Sequence, residues 1–249
     1  MPEDPVPLTA RPAALGLLWP DMAPPFDVQS FLESPRIQSG LARAVFNREG
    51  RRWTAGQWIQ EQAARHRINP KWLLVVLQGE QSLVKERRPL SPDFKIEKSG
   101  PPPAGFKAPP VDAPGVRYVR TKGGWYRVTG TWRMMAATGY GIPDPNTEPP
   151  WDTGDKLGFP AQVAGTASMA ARDIRAFYDA QESGQPVPLT LYPTAAEKAA
   201  AAAEGRKPKG ETIVAGDPLT YLVIRYTPSL DALDQRTVSI PNSLFGTEA

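Results

Sequence analysis

Apolar residues recur at threes and fours along several stretches of this chain, and the longest of them predict helices. In "INPKWLLVVLQGEQSLV", positions Leu73, Val76, Leu77, Leu83 and Val84 share one face, and Glu80 falls on that face with them. Asn69-Pro70 is a good helix opening, because Pro at the first helical position loses no needed donor, and the run extends to about Arg87. Thr54 can cap "AGQWIQEQAARHR", where Trp58, Ile59 and Gln62 lead to the next break. Phe159, Val163, Ala167, Ala170, Ile174 and Phe177 mark another long helix. Leu41, Val45 and Phe46 also fall at helical spacing. A short helix is expected at "TWRMMAAT", ending at Gly139, and a final packed one in "DPLTYLVIRYTPSL". "AAEKAAAAAEGRKPKG" has strong local helix propensity and little core information.

Strand signals are few. "VRYVRTKGGWYRV" reads as a hairpin around Gly123-Gly124. Between Arg88 and Gly115, and again from Tyr140 to Gly158, the pattern has no sustained period and predicts long loops. The expected architecture is mainly α (α+β): a Pro-rich arm over residues 1–35, then one domain over 36–249 with a Pro-rich insertion at about 88–115 and a hairpin at about 116–129.

Composition narrows the chemistry. The 29 prolines are roughly double average usage of about 5%, which fits compact helices separated by long connections. With no cysteine there is no disulfide or thiolate metal site. A single histidine, His66, argues against Ser-His-Asp machinery and multi-histidine metal sites, and no cofactor is called for. His66 reads as a helix C-terminal partner. A net charge of +3 tolerates an anionic partner such as a cell-wall polymer and lacks the footprint of a nucleic-acid binder. The start of the chain has no basic region leading into a long apolar run, and "AALGLLW" is too short for a membrane span.

Glu80 is the residue the pattern singles out. A carboxylate within an apolar stripe has its charged form disfavoured by desolvation, as a general acid working near neutral pH requires. The other reading is a Glu near a helix end paired with one of the chain's many arginines.

"NPKWLLVVLQGEQSL" resembles the catalytic helix of lysozyme-like lytic transglycosylases, in a branch with an N-P-K…L-L-V…L-Q-x-E-Q-x-L pattern. Three later segments fit in order: "ATGYGIPD" resembles that branch's G-Y-x-x-P-D loop, "GFPAQVAGTASMAARDI" its G-F-x-x-Q helix, and "LTYLVIRYTPSL…NSLF" its Y-T-P ending. The resemblance spans about residues 55 to 245 and departs from the broader family in showing Glu80-Gln81-Ser82 where Glu-Ser is common, without a clear G-L-M-Q segment.

The resemblance implies a goose-lysozyme-like α domain that cleaves the peptidoglycan bond between N-acetylmuramic acid and N-acetylglucosamine. Glu80 would be the acid and base, with Gln81, Ser82, Tyr140, Gln162 and Tyr226 toward the substrate. A transglycosylase needs no second carboxylate. An inverting hydrolase needs one, for which Asp144, Asp152 and Asp155 are candidates, although turn chemistry beside Pro and Gly is the favoured reading of each. Gln162 would bond a sugar acetamido group or simply pack, and Tyr226 would face the cleft or bond a core carbonyl. Trp125 and Tyr126 could form a sugar platform or stabilise their hairpin.

The expected setting is the cell wall, reached in a virion or by another release route, with phage tail or other assembly proteins as further partners. The alternative function is a non-catalytic structural or glycan-binding module of a virion or cell surface, for which extended Pro-rich arms would be useful.

Overall fold

The computed structural model describes residues 17–18, 26–91, 95–110, 113–121, 124–140, 156–185, 187–193, 195–205, 210–227 and 230–246. About 50% of it is helix and 20% strand, the strands forming three small antiparallel sheets. This corrects the expectation of a mainly α, lysozyme-like domain with one hairpin: the chain is an α+β protein.

Residue contacts divide the chain into two compact units. One holds Pro25–His66 and Val76–Ala167; the other holds Met1–Pro24, Arg67–Val75 and Ser168–Ala249.

The first unit begins with α1 (Val28–Glu33), capped by the Asp27 carboxylate, which accepts from the Ser30 amide. A 3-10 turn, Gly40–Arg43, leads into β1 (Val45–Arg48) and β2 (Arg51–Thr54). Helical spacing misread this stretch. Arg48 pairs with Arg51, so Glu49 and Gly50 form a two-residue turn, and both have positive φ (53° and 68°), the geometry a tight hairpin needs. Thr54 then starts α2 (Ala55–His66) with a capping box: its Oγ1 accepts from the Gln57 amide while Gln57 Oε1 accepts from the Thr54 amide. Phe46, Trp53 and Trp58 pack edge to face in the core, and Trp58 Nε1 donates to the Pro160 carbonyl at 3.0 Å.

Helix α3 (Pro70–Gln81) contributes its first half to the second unit and its second half to the first. From Trp72 to Leu77 every side chain is buried, so this is a core helix apolar all round and not a one-sided stripe. It stops earlier than Arg87, because Ser82 takes a left-handed conformation (φ 53°) and its amide bonds back to the Gln78 carbonyl.

The three-stranded sheet has order β3 (Lys95–Ser99), β5 (Gly124–Thr131), β4 (Pro114–Thr121). β3 lies inside the stretch expected to be loop. Its inner face, with Val119, Val128 and Ile96, packs on Trp132, Met135 and Leu157. Helix α4 (Trp132–Met135) follows directly, and α5 (Phe159–Glu182) buries its predicted positions Phe159, Val163, Ala167, Ala170, Ile174 and Phe177.

In the second unit, β6 (Pro188–Leu191) pairs with β7 (Glu211–Val214) across α6 (Ala195–Ala203), a sheet the sequence pattern did not predict. Helix α7 (Pro218–Tyr226) is capped by Asp217, whose carboxylate accepts from the Thr220 amide at 2.8 Å. α8 (Leu230–Asp234), a π-helical turn (Gln235–Ser239) and α9 (Ile240–Phe245) form one continuous helical run. Phe177 packs on Tyr221, and Lys71 Nζ lies 5.1 Å from the Phe245 ring centroid.

Candidate active site

Glu80 occupies the last turn of α3, where the helix leaves its all-apolar segment and Gln78, Gly79 and Glu80 become half-buried. Full enclosure in an apolar stripe, the premise of the sequence argument, is therefore not what the structure has. Its carboxylate lies instead against the turn after α4. A Cβ built on Gly139 would sit 3.1 Å from Glu80 Oε2, and Gly139 has φ 68°, so a glycine suits both the backbone and the close approach. Near the C-terminal end of a helix the macrodipole disfavours an anion by about 0.3–1 kcal/mol. Glu80 is not placed there to stabilise α3.

The turn carrying Gly139 is pinned by Gln162, which is fully buried on the first turns of α5. Gln162 Nε2 donates to the Tyr140 carbonyl at 2.7 Å and to the Lys156 carbonyl at 2.6 Å. Its Oε1 accepts from the Thr138 amide at 3.2 Å. Two carbonyls and one N–H fix the amide orientation, since the flipped group would set oxygen against oxygen. The Thr166 hydroxyl donates to Thr138 Oγ1 at 2.6 Å, adding a second tie to α5. Both amide hydrogens and the oxygen are bonded within the corner, so Gln162 positions the turn, the packing use among the two that the sequence left open.

The Tyr140 ring lies on Gly165, where any Cβ would overlap its Cδ1 and Cε1 atoms. Glycine in mid-helix costs about 1 kcal/mol relative to alanine, and here it lets the ring come close against α5. The ammonium of Lys156 stands 5.9 Å from the ring centroid. Glu80, Gly139, Tyr140 and Gln162 thus form one corner of the first unit. Thr138, Lys156, Gly165 and Thr166 complete it. Those four were missed from the sequence, although a glycine and a threonine one turn of α5 on from Gln162 were legible as a small-residue patch.

Ser82 is exposed and acts as the left-handed cap of α3, while Gln81 is the last, half-buried residue of that helix. Tyr226 ends α7 in the second unit, with the Arg236 guanidinium 4.9 Å from its ring centroid. Asp144, Asp152 and Asp155 lie outside the described residues. His66 is the last residue of α2, its pKa lowered by burial and by neighbouring Arg65. Among the described residues no group of three or more His, Asp or Glu could hold a metal, and no helix is long and apolar enough to cross a membrane.

The segment after Glu80 is locked in place. The Glu86 carboxylate accepts from the Arg88 guanidinium (2.6 and 3.0 Å), from the Arg88 amide (2.9 Å) and from Arg133 (3.3 Å). These bonds, that of the Arg88 side chain foremost, hold its pKa down at about 2. The Gly40 amide bonds the Glu86 carbonyl, and Gly40 is so close to the Arg88 carbonyl that no side chain fits there.

A groove of about 260 Å³ lies elsewhere in this unit, lined by residues such as Asp27, Gln29, Arg51, Trp53, Gln57 and Gln60. Its polar groups join α1 to the β2–α2 corner: Gln29 bonds the Ala42 carbonyl and Thr54, and Gln60 accepts from the Val28 amide. None of the sequence candidates among the described residues lines it.

Comparison with protein-family models, curated proteins and solved structures finds no match to this chain.

Proposed function

We propose that the Glu80 corner cleaves peptidoglycan glycan strands at the bond between N-acetylmuramic acid and N-acetylglucosamine. The observation that carries this reading is convergence. Glu80, the Gly139-Tyr140 turn and the Gln162 helix, three segments far apart in the chain, meet around one half-buried carboxylate. They are also three of the four segments on which the sequence resemblance to lytic transglycosylases rests.

In this reading Glu80 protonates the glycosidic oxygen, the C1–O bond breaks, and the carboxylate then takes a proton from the attacking hydroxyl. If the attacker is the muramyl C6 hydroxyl, the product is a 1,6-anhydro sugar. If it is water, the product is a reducing end, and a second carboxylate is needed for inversion. The backbone of the Gly139 turn is the fixed wall against which Glu80 is held, and the half-buried Tyr140 offers an aromatic surface beside it.

Digestion of purified peptidoglycan followed by mass analysis of the fragments tests the proposal. Fragments with anhydro ends identify a transglycosylase and reducing ends a muramidase. Intact strands after prolonged incubation with folded protein would leave a structural or glycan-binding module as the better account.

A further inference from the structure

The β3–β5–β4 sheet has an outer face that the Glu80 corner does not use. Side chains alternate between faces along a strand and cross-strand partners share a face. The register therefore sets Ser99, Trp125 and Arg120 in one outer row and Glu97, Arg127 and Tyr118 in the next. Trp125 and Tyr126, adjacent in sequence, point to opposite sides, so they cannot make one platform. Tyr126 pairs with Val119 on the core side, and the outer neighbour of Trp125 is Tyr118, diagonally across on β4.

Several features distinguish this face. Trp125 is half-buried and Arg120 is exposed, with its guanidinium 6.0 Å from the indole centroid. Phe106, from the Pro-rich segment, stands edge-on to Tyr118 at 4.9 Å, while on the core side of β4 Arg117 donates to the Pro109 carbonyl. The Pro-rich segment thus packs beside β4 and supports Tyr118 from one side. Of the charged residues in the three strands, Lys95, Arg120 and Arg127 fall on this face against a single acid, Glu97.

We propose that this outer face binds an anionic polysaccharide, one that carries a carboxylate on some of its sugars. The Trp125 ring supplies an apolar plane for the C–H face of a pyranose, and Arg120 supplies an exposed cation for a carboxylate. The central residue decides between polymers. Glu97 lies between Lys95 and Arg127, bonded to both. A carboxylate there opposes the phosphate that recurs at every nucleotide, whereas sugar hydroxyls can donate to it. The surface is independent of Glu80 and would serve a catalytic or a non-catalytic protein alike.

The test uses the full chain carrying Glu80→Gln, so that no turnover intervenes, and titrates it by calorimetry with three oligomers of equal length. These are hyaluronate, which has a carboxylate on alternate sugars, neutral chitin oligosaccharide, and oligothymidylate. Hyaluronate binds at least about tenfold more tightly than the neutral glycan or the oligonucleotide. Arg120→Glu and Trp125→Ala each weaken it by about tenfold. Arg120 is exposed, so its variant keeps the fold even if Trp125→Ala does not. Equal binding of neutral and anionic glycans, tighter binding of oligothymidylate, or unchanged affinity in folded Arg120→Glu would overturn the proposal.

Discussion

The Glu80 carboxylate rests on Gly139: a Cβ at Gly139 would stand 3.1 Å from Glu80 Oε2, on a backbone with φ 68°. Two constraints meet in that one residue, the turn's left-handed conformation and the closeness of the carboxylate. Gly139→Ala violates both. It should cost about 1–2 kcal/mol of stability and displace Glu80, so that turnover on peptidoglycan falls in protein that denaturant unfolding shows to be folded.

Gly165 makes a parallel prediction with opposite signs in two backgrounds. In the wild-type chain Gly165→Ala meets the Tyr140 ring and destabilises. In a Tyr140→Ala background the obstacle is gone, and the same change should stabilise α5 by about 0.5–1 kcal/mol through helix propensity. A double-mutant cycle by denaturant unfolding measures this reversal. Two additive effects would mean that ring and glycine do not touch.

Gln162 carries the turn by three hydrogen bonds from a fully buried amide. Gln162→Ala leaves the Thr138 amide and the carbonyls of Tyr140 and Lys156 unpaired, a loss of about 2–4 kcal/mol. Gln162→Glu should not rescue it, because a carboxylate would face two carbonyl oxygens. Thermal unfolding of both variants checks the point. A sugar-binding role alone would leave stability intact.

Glu86 predicts an acid limb. Its folded pKa is depressed from the ordinary 4.5 to about 2, chiefly by the Arg88 side chain. A depressed carboxylate contributes its full stability above the unfolded pKa and loses it as pH falls through the window from about 4.5 to about 2. Glu86→Gln should be less stable than wild type at neutral pH, with the gap in Tm closing across that window. A gap independent of pH would place the cost in shape and not in charge.

Much of the helical framework was legible because it follows local rules. The Thr54 capping box, the Asn69-Pro70 start, the six buried positions of α5 and the stop at Thr227 all depend on residues close in sequence. The strands were less legible. In β3 only Ile96 is apolar, so the strand exists through pairing with β5, which no local pattern reveals. β6 and β7 are paired across the intervening α6, again a non-local fact. Ahead of the β1–β2 turn, Leu41 of the 3-10 turn and Val45 and Phe46 of β1 mimicked a helical period, while Glu49-Gly50 held the deciding turn.

The corner itself was partly visible. Glu80 stood out because a charge broke an apolar run, but the same run overstated its burial: the helix is enclosed on all sides up to Leu77 and opens just where Glu80 sits. Gln162 was found with its use left open between a sugar and packing, since a sequence does not say which carbonyls lie within reach of an amide. Gly139 and Gly165 serve by what they lack, a property that becomes visible only when their neighbours are in place.

The most direct measurement is the rate at which folded wild-type and Glu80→Gln proteins release soluble fragments from purified peptidoglycan. Removing a general acid of this kind costs about 10²–10⁴ in rate. A loss in that range is the expected result, with thermal stability little changed because Glu80 is only half-buried. Wild-type release matched by Glu80→Gln would contradict it.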